Sequence, residues 1–246
     1  MLRIIFFAFI AAFSTFLFGY HTGIIAGALV YLTPDFTLTV FQQQLVVSAL
    51  LLSACVGTLL GGWLADSIGR KKTLFISALF FFLGNFLLFE ARELEMLLLG
   101  RFMIGLAIAI GVITAPLYIS EISPPKIRGA LVTMGQLMTA IGILVAYIIA
   151  FVFASQKDWR AMFNGGFIPL GLFFVGLFFI PESPLWLKQR GTERSQSRAK
   201  LSSPSLLKPM GMGMALSIFQ QITGINTVIY YAPTIFEKAG FLTTES

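Results

Sequence analysis

The sequence predicts an all-α, polytopic membrane protein: a six-helix bundle, a polar linker and one further transmembrane helix. Three observations carry that prediction. Hydrophobic residues make up 57% of the 246-residue chain and charged residues 11%, less than half of the roughly 25% charged content of a soluble domain. Seven stretches are long and apolar enough to cross a bilayer, approximately 4–32, 45–65, 74–90, 97–119, 130–154, 162–180 and 210–234. The one long connection, 187–208, is rich in serine and basic residues and follows the sixth stretch. The expected organisation is therefore a bundle over 1–186, a cytoplasmic linker over 187–208, and a seventh helix with an outer tail over 209–246.

Span one follows Arg3 and continues past the length of a signal-peptide core with no small-x-small cleavage site, so it reads as a membrane helix. Gly19, Gly23 and Gly27 recur every four residues and give it a small-residue face for close helix packing. Phe18 and His21, three apart, are expected to look the same way, into a cavity. The charged turn 66–73 joins spans two and three, and span three, short for a crossing, is expected to extend through Glu90. Span four contains Arg101 and span five Gln136; the turn 155–161 leads into span six. Gln220, Thr223, Thr227 and Tyr230 form one polar stripe on span seven. Counting about 1.5 Å per residue from Met210 puts Gln220 and Gln221 roughly 15 Å deep, near the midplane. Asn226 lies beyond Gly224, where the helix is expected to be irregular.

The formal charge of +6 does not form a nucleic-acid patch, because the basic residues flank apolar spans. Of seventeen Lys and Arg, twelve fall on one side of the predicted membrane and four on the other, with Arg101 inside a span. The positive-inside rule then places the N-terminus in the cytoplasm and seven crossings put the C-terminus outside, in a multi-pass inner or plasma membrane protein. That orientation disfavours a seven-helix receptor. The single cysteine, Cys55, precludes a disulfide framework and leaves the redox compartment open. With one histidine and one cysteine no His/Cys metal cluster can form, and there is no Walker loop. No enzyme chemistry, metal or cofactor is expected, and no nucleic-acid partner.

The stretch Gln220-Gln221-Ile222-Thr223-Gly224-Ile225-Asn226 interrupts an apolar run with three carboxamides. Each unsatisfied polar group in hydrocarbon costs several kcal/mol, so such residues face a water-filled cavity and mark a substrate path, or bond to a neighbouring helix. Amides both donate and accept hydrogen bonds, which suits a neutral ligand covered in hydroxyls, a sugar or polyol.

The loop Gly62-Trp63-Leu64-Ala65-Asp66-Ser67-Ile68-Gly69-Arg70-Lys71-Lys72 resembles the loop between the second and third helices of the major facilitator superfamily. Five further segments are similar to its sugar porter branch: Phe18-Gly19-Tyr20-His21-Thr22-Gly23; Arg101 with Gly105 and Gly111; Pro116 to Pro124 followed by Arg128-Gly129; Pro181-Glu182-Ser183-Pro184-Leu185-Trp186-Leu187; and Gln220 to Asn226 with Tyr230-Tyr231-Ala232-Pro233. The chain departs from that pattern at His21, where an acid or amide is usual, and at Leu185, where arginine is common.

The resemblance implies one six-helix half, built of inverted three-helix repeats, plus the first helix of a second half. It implies alternating-access transport of a monosaccharide or polyol, with Phe18, Gln136, Gln220, Gln221 and Asn226 at the substrate. It also implies coupling through positions 21 and 101, and a cytoplasmic gate formed by Asp66, Arg70, Glu121, Arg128 and Glu182. An acid at position 21 would pair with Arg101. His21 places two basic groups together, favours a neutral imidazole, and leaves uniport or a rewired proton site. The family's helices eight to twelve are absent and the linker is shorter than the family's, which implies a chain truncated after the seventh helix. Such a chain is expected to be inactive alone, its partners being the lipid bilayer, the sugar and a separately encoded C-terminal half. The alternative is a non-transporting fragment or a membrane interaction partner.

Overall fold

In hydrocarbon every main-chain N–H and C=O must be satisfied within its own segment, so long apolar runs fold as helices. The computed structural model describes residues 1–191 and 204–238. Much of the predicted linker (192–203), with its Arg194, Arg198 and Lys200, and the tail 239–246 lie outside the described residues. In chain order the helices are α1 (Leu2–Asp35), α2 (Val40–Ile68), α3 (Arg70–Glu90), α4 (Leu94–Ile122), α5 (Arg128–Ala154), α6 (Trp159–Asn164), α7 (Phe167–Phe179), α8 (Pro184–Gly191), α9 (Pro204–Ile222) and α10 (Ile225–Lys238). They fall into two compact units, Met1–Leu187 and Lys188–Ser246.

Local sequence sets the boundaries. Thr39 caps α2 by accepting from the Gln42 N–H, while the Gln42 side chain accepts from the Thr39 N–H at 2.9 Å, a reciprocal capping box. Gly69, at φ +102°, separates α2 from α3 in a conformation that side-chain-bearing residues avoid. The third helix does run through Glu90. Among the described residues six segments are long and apolar enough to cross a membrane: Leu2–Asp35, Val40–Ile68, Arg70–Glu90, Leu94–Ile122, Arg128–Ala154 and Trp159–Phe179. The seventh expected span, 210–234, is instead broken. Gly224, at φ +69°, ends α9 and lets α10 restart, and Tyr231 has non-helical angles within α10.

The first unit is two sets of three spans, α1–α3 and α4, α5 and the α6–α7 span, which exchange partners: α1 packs chiefly on α5, and α4 on α2 and α3, with α7 against α1. That reciprocal arrangement is the signature of an inverted repeat. The first helix of each triple is the most enclosed, whereas α3 and α7 expose apolar side chains such as Leu79, Phe82, Phe86, Leu172, Val175 and Phe179. The glycines predicted to pack do so at contact distance. A Cβ on Gly19 would lie 2.0 Å from the Thr139 carbonyl oxygen of α5, so no larger residue fits without parting the helices. Thr15 Oγ1 donates to Gly135 O (2.9 Å) and Thr139 Oγ1 to Thr15 O (3.2 Å), stitching the same seam.

Candidate functional site

At the basic end of the bundle the turn from α2 to α3 is held from both sides. Arg70, 5% exposed, donates to Glu121 Oε1 at 2.9 Å and to Ala65 O at 2.9 Å, and lies 3.4 Å from Asp66. Glu182 sits across Gly69, its Oε1 accepting the main-chain N–H groups of Lys71 (3.0 Å) and Ser183 (2.9 Å). A carboxylate there faces the first turn of α3, where unpaired N–H groups favour negative charge. Trp186 Nε1 donates to Asp66 O at 3.0 Å and closes the ring of contacts. Of the five residues expected to form one charge network, Asp66, Arg70 and Glu121 join as ions. Glu182 joins through main-chain amides, and Arg128 only through the Ser123 carbonyl at 3.4 Å.

The second cluster lies inside the apolar part of the bundle. His21 was expected to share a cavity-facing side with Phe18, but its side chain is fully buried while Phe18 is half-buried. The ring stacks on Phe81 (5.8 Å, 19°) and its Nε2 lies 3.5 Å from Asn85 Nδ2, both residues on α3. Residues three apart on a helix point about 60° apart, enough for α3 to cover one and leave the other. Arg101, also fully buried, donates through Nη1 to the main-chain oxygen of His21 (3.3 Å) and through Nε to that of Val46 (3.2 Å). It therefore bridges α1 and α2 through carbonyls, with the His21 ring close enough to feel its charge.

The amides occupy both units. Gln136 is exposed on α5, on a face distinct from the buried Gly135, Met138, Thr139 and Gly142. Gln220 and Gln221 are exposed on α9 and Asn226 is half-buried at the start of α10. Across the break at Gly224, Asn226 Nδ2 donates to Gln221 Oε1 at 3.1 Å.

Two groups of residues escaped the sequence reading. Asn85 is an amide within span three, and the rule applied to Gln136 would have found it. At the end of the bundle opposite Arg70, Trp159 Nε1 donates to Asp35 Oδ2 (2.7 Å), and the Arg160 guanidinium lies 4.1 Å from the Trp159 ring centre and donates to Ala91 O (2.7 Å). This clasp ties the start of α6 to the ends of α1 and α3, just as Arg70 and Glu182 tie the start of α3 to the end of α4 and the segment after α7. A tryptophan–arginine pair beside a membrane boundary was the only signal for it.

Comparison with known proteins agrees with this geometry. The family described as "Sugar (and other) transporter" matches residues 7–205 and 193–245. Relatives include a probable metabolite transport protein, CsbC, of Bacillus subtilis (39% identical over 97% of this chain and 58% of its own) and a galactose-proton symporter of Escherichia coli (38%, 97% and 58%). The chain thus spans somewhat more than half the length of these curated relatives. Among solved structures, the proton:xylose symporter XylE bound to 6-bromo-6-deoxy-D-glucose superposes with a TM-score of 0.86 at 27% identity, covering 98% of this chain and 64% of that one. The motifs along the chain, the exchanged pairing of its two helix triples and these matches agree that the chain belongs to the Sugar (and other) transporter family, the sugar porters of the major facilitator superfamily.

Proposed function

We propose that this chain supplies one half, and the first helix of the other, of an alternating-access carrier for a monosaccharide or polyol. Gln136, Gln220, Gln221 and Asn226 hydrogen-bond the sugar hydroxyls, and Phe18 packs against the ring. The observation that carries this reading is an uncharged amide, Gln136, exposed on a membrane helix about 12 Å from its Arg128 end. Such a group is tolerated where it meets water or a polar ligand. The names of the relatives, among them galactose and arabinose symporters and a glucose transporter, support a sugar as that ligand. The N-terminus lies in the cytoplasm, as the distribution of Lys and Arg favours, and the Arg70–Glu121–Glu182 clasp forms part of the gate on that side. With a buried imidazole at position 21 stacked on Phe81, movement of sugar is of the uniport type.

Alternating access needs two bundles that rock about a central site. Proteoliposomes holding the 246-residue chain alone are expected to show no saturable sugar flux, and those holding it with a complementary C-terminal half to show flux that a proton gradient does not drive. Equilibrium binding of D-galactose to that assembly should weaken about tenfold for Gln136→Ala, one lost hydrogen bond to a buried ligand being about 1.4 kcal/mol. Undiminished affinity in Gln136→Ala and Gln221→Ala, with folding intact, returns these amides to helix packing.

A further inference from the structure

His21 is the single histidine of the chain, and α3 presents a fitted seat for its ring. Phe81 and Asn85, four apart on one face of α3, are both fully buried. Phe81 stacks on the imidazole face, and Tyr20 meets the ring edge-on at 5.6 Å and 88°. Asn85 reaches the ring edge, its Nδ2 3.5 Å from Nε2. The orientation of an amide follows from what each of its ends meets. The oxygen end of Asn85 faces the break in the sixth span, where α6 ends at Asn164 and α7 begins at Phe167. A Cβ on Gly166 would lie 3.4 Å from Asn85 Oδ1. The first turn of α7 carries main-chain N–H groups with no acceptor in their own helix, and it is the positive end of the helix dipole. An oxygen is stabilised there and an NH2 is repelled. Tyr20 lies against the same break: its hydroxyl donates to Met162 O, and a Cβ on Gly165 would lie 2.5 Å from that hydroxyl.

We infer that Asn85 is a positioning residue for His21, turned by the start of α7 so that its NH2 donates to Nε2 and the imidazole proton is confined to Nδ1. A neutral imidazole carries one N–H and one lone pair, and the partner of one nitrogen decides where the proton sits. In a free histidine side chain the proton prefers Nε2, so the amide reverses the ordinary preference. The cause runs through three helices, from the break in span six to Asn85 on α3 and from there to span one. For Nε2 to hold a proton, Asn85 must turn its oxygen to the ring and its NH2 to the start of α7. That turn keeps one hydrogen bond and loses the favourable field of the helix end. Arg101, the charged neighbour on α4, holds the His21 main-chain oxygen at 3.3 Å and ties this part of α1 in place. As a device in transport the inference rests on the uniport reading of the preceding section, for which it supplies a cause: the nitrogen that faces α3 is closed to protons.

The test is nitrogen NMR of the 246-residue chain in detergent micelles, labelled in histidine so that one imidazole gives the whole signal. Neither sugar nor a second half takes part. The parent is expected to show Nε2 in the lone-pair range and Nδ1 in the N–H range, separated by the full difference between the two kinds of nitrogen. Asn85→Leu removes the donor, and the proton should then move to Nε2 in most of the population. Phe81→Leu loosens the seat without touching the amide and should leave the proton on Nδ1. In the parent, the Asn85 amide protons should show stronger nuclear Overhauser contacts to the His21 ring protons flanking Nε2 than to the main-chain N–H of Phe167. A parent with its proton on Nε2 overturns the inference. So does the reverse order of Overhauser contacts, or an Asn85→Leu chain whose proton stays on Nδ1. Should Asn85→Leu fail to fold, the two measurements on the parent decide. None of these results touches the sugar and uniport readings, which are judged by flux.

Discussion

Two arginines in the first unit are almost equally hidden, yet they are satisfied by different chemistry. Arg70, at the basic end, is 5% exposed and meets a carboxylate, Glu121, whose own side chain is 11% exposed. Arg101, about two turns into α4, is fully buried and donates to the main-chain oxygens of His21 and Val46. The first is an ion pair across two helices. The second is a fork into the backbones of two others, which a planar guanidinium with five donors can make and an ammonium cannot reproduce. The difference separates two jobs. An ion pair can part and re-form as its surroundings become wetter, which suits a gate, while a donor locked onto helix carbonyls holds a bundle together.

The comparison is most sharply broken at Arg70. Arg70→Ala leaves Glu121 as a buried charge without its cation, and should destabilise the purified chain by about 3–5 kcal/mol in a detergent-denaturation titration. Arg101→Met removes the charge together with its need for partners and leaves the His21 and Val46 carbonyls without these donors, so about 1–3 kcal/mol is expected in the same titration. A loss at Arg101 equal to or above that at Arg70 contradicts the distinction. Asn85→Leu should change stability by less than about 1 kcal/mol, because its contact with His21 is long, at 3.5 Å, and its Oδ1 has no partner among the described residues; a larger loss would show His21 to be held mainly by that amide. Smallest is Asp66→Asn. Asp66 is 77% exposed and 3.4 Å from Arg70, an exposed pair whose loss costs about 0.5 kcal/mol or less and fades as salt is raised. A salt-independent effect above that would place Asp66 in the clasp proper.

Most of the helical plan was legible because hydropathy is a local property. The first six stretches reappear in order, the short third span extends as expected, and the four-residue glycine spacing of span one corresponds to a seam where Gly19 touches the backbone of α5. The acids and bases expected at a cytoplasmic gate were legible as charges at helix ends, but not their pairing. Glu182 was read as an ion in a network and instead caps main-chain amides beside Gly69, a choice set by the fold of the turn. The burial of His21 beside a half-buried Phe18 was not legible for a similar reason. Helical periodicity gives the angle between Phe18 and His21, but not which neighbour lies against each.

By itself the sequence determined the class of solvent, the order of the first six apolar helices and the close-packing faces. These follow from composition and spacing, which act within one helix. Only the tertiary structure decided that Arg101 donates to the main-chain oxygens of His21 and Val46, that Asn85 lies beside the His21 ring, and that Trp159 closes the end of the bundle opposite Arg70. It also decided that Gln221 and Asn226 touch across a break. Each of these depends on where two segments approach or turn, and so on the close packing of whole helices and on single left-handed glycines, which no periodicity encodes.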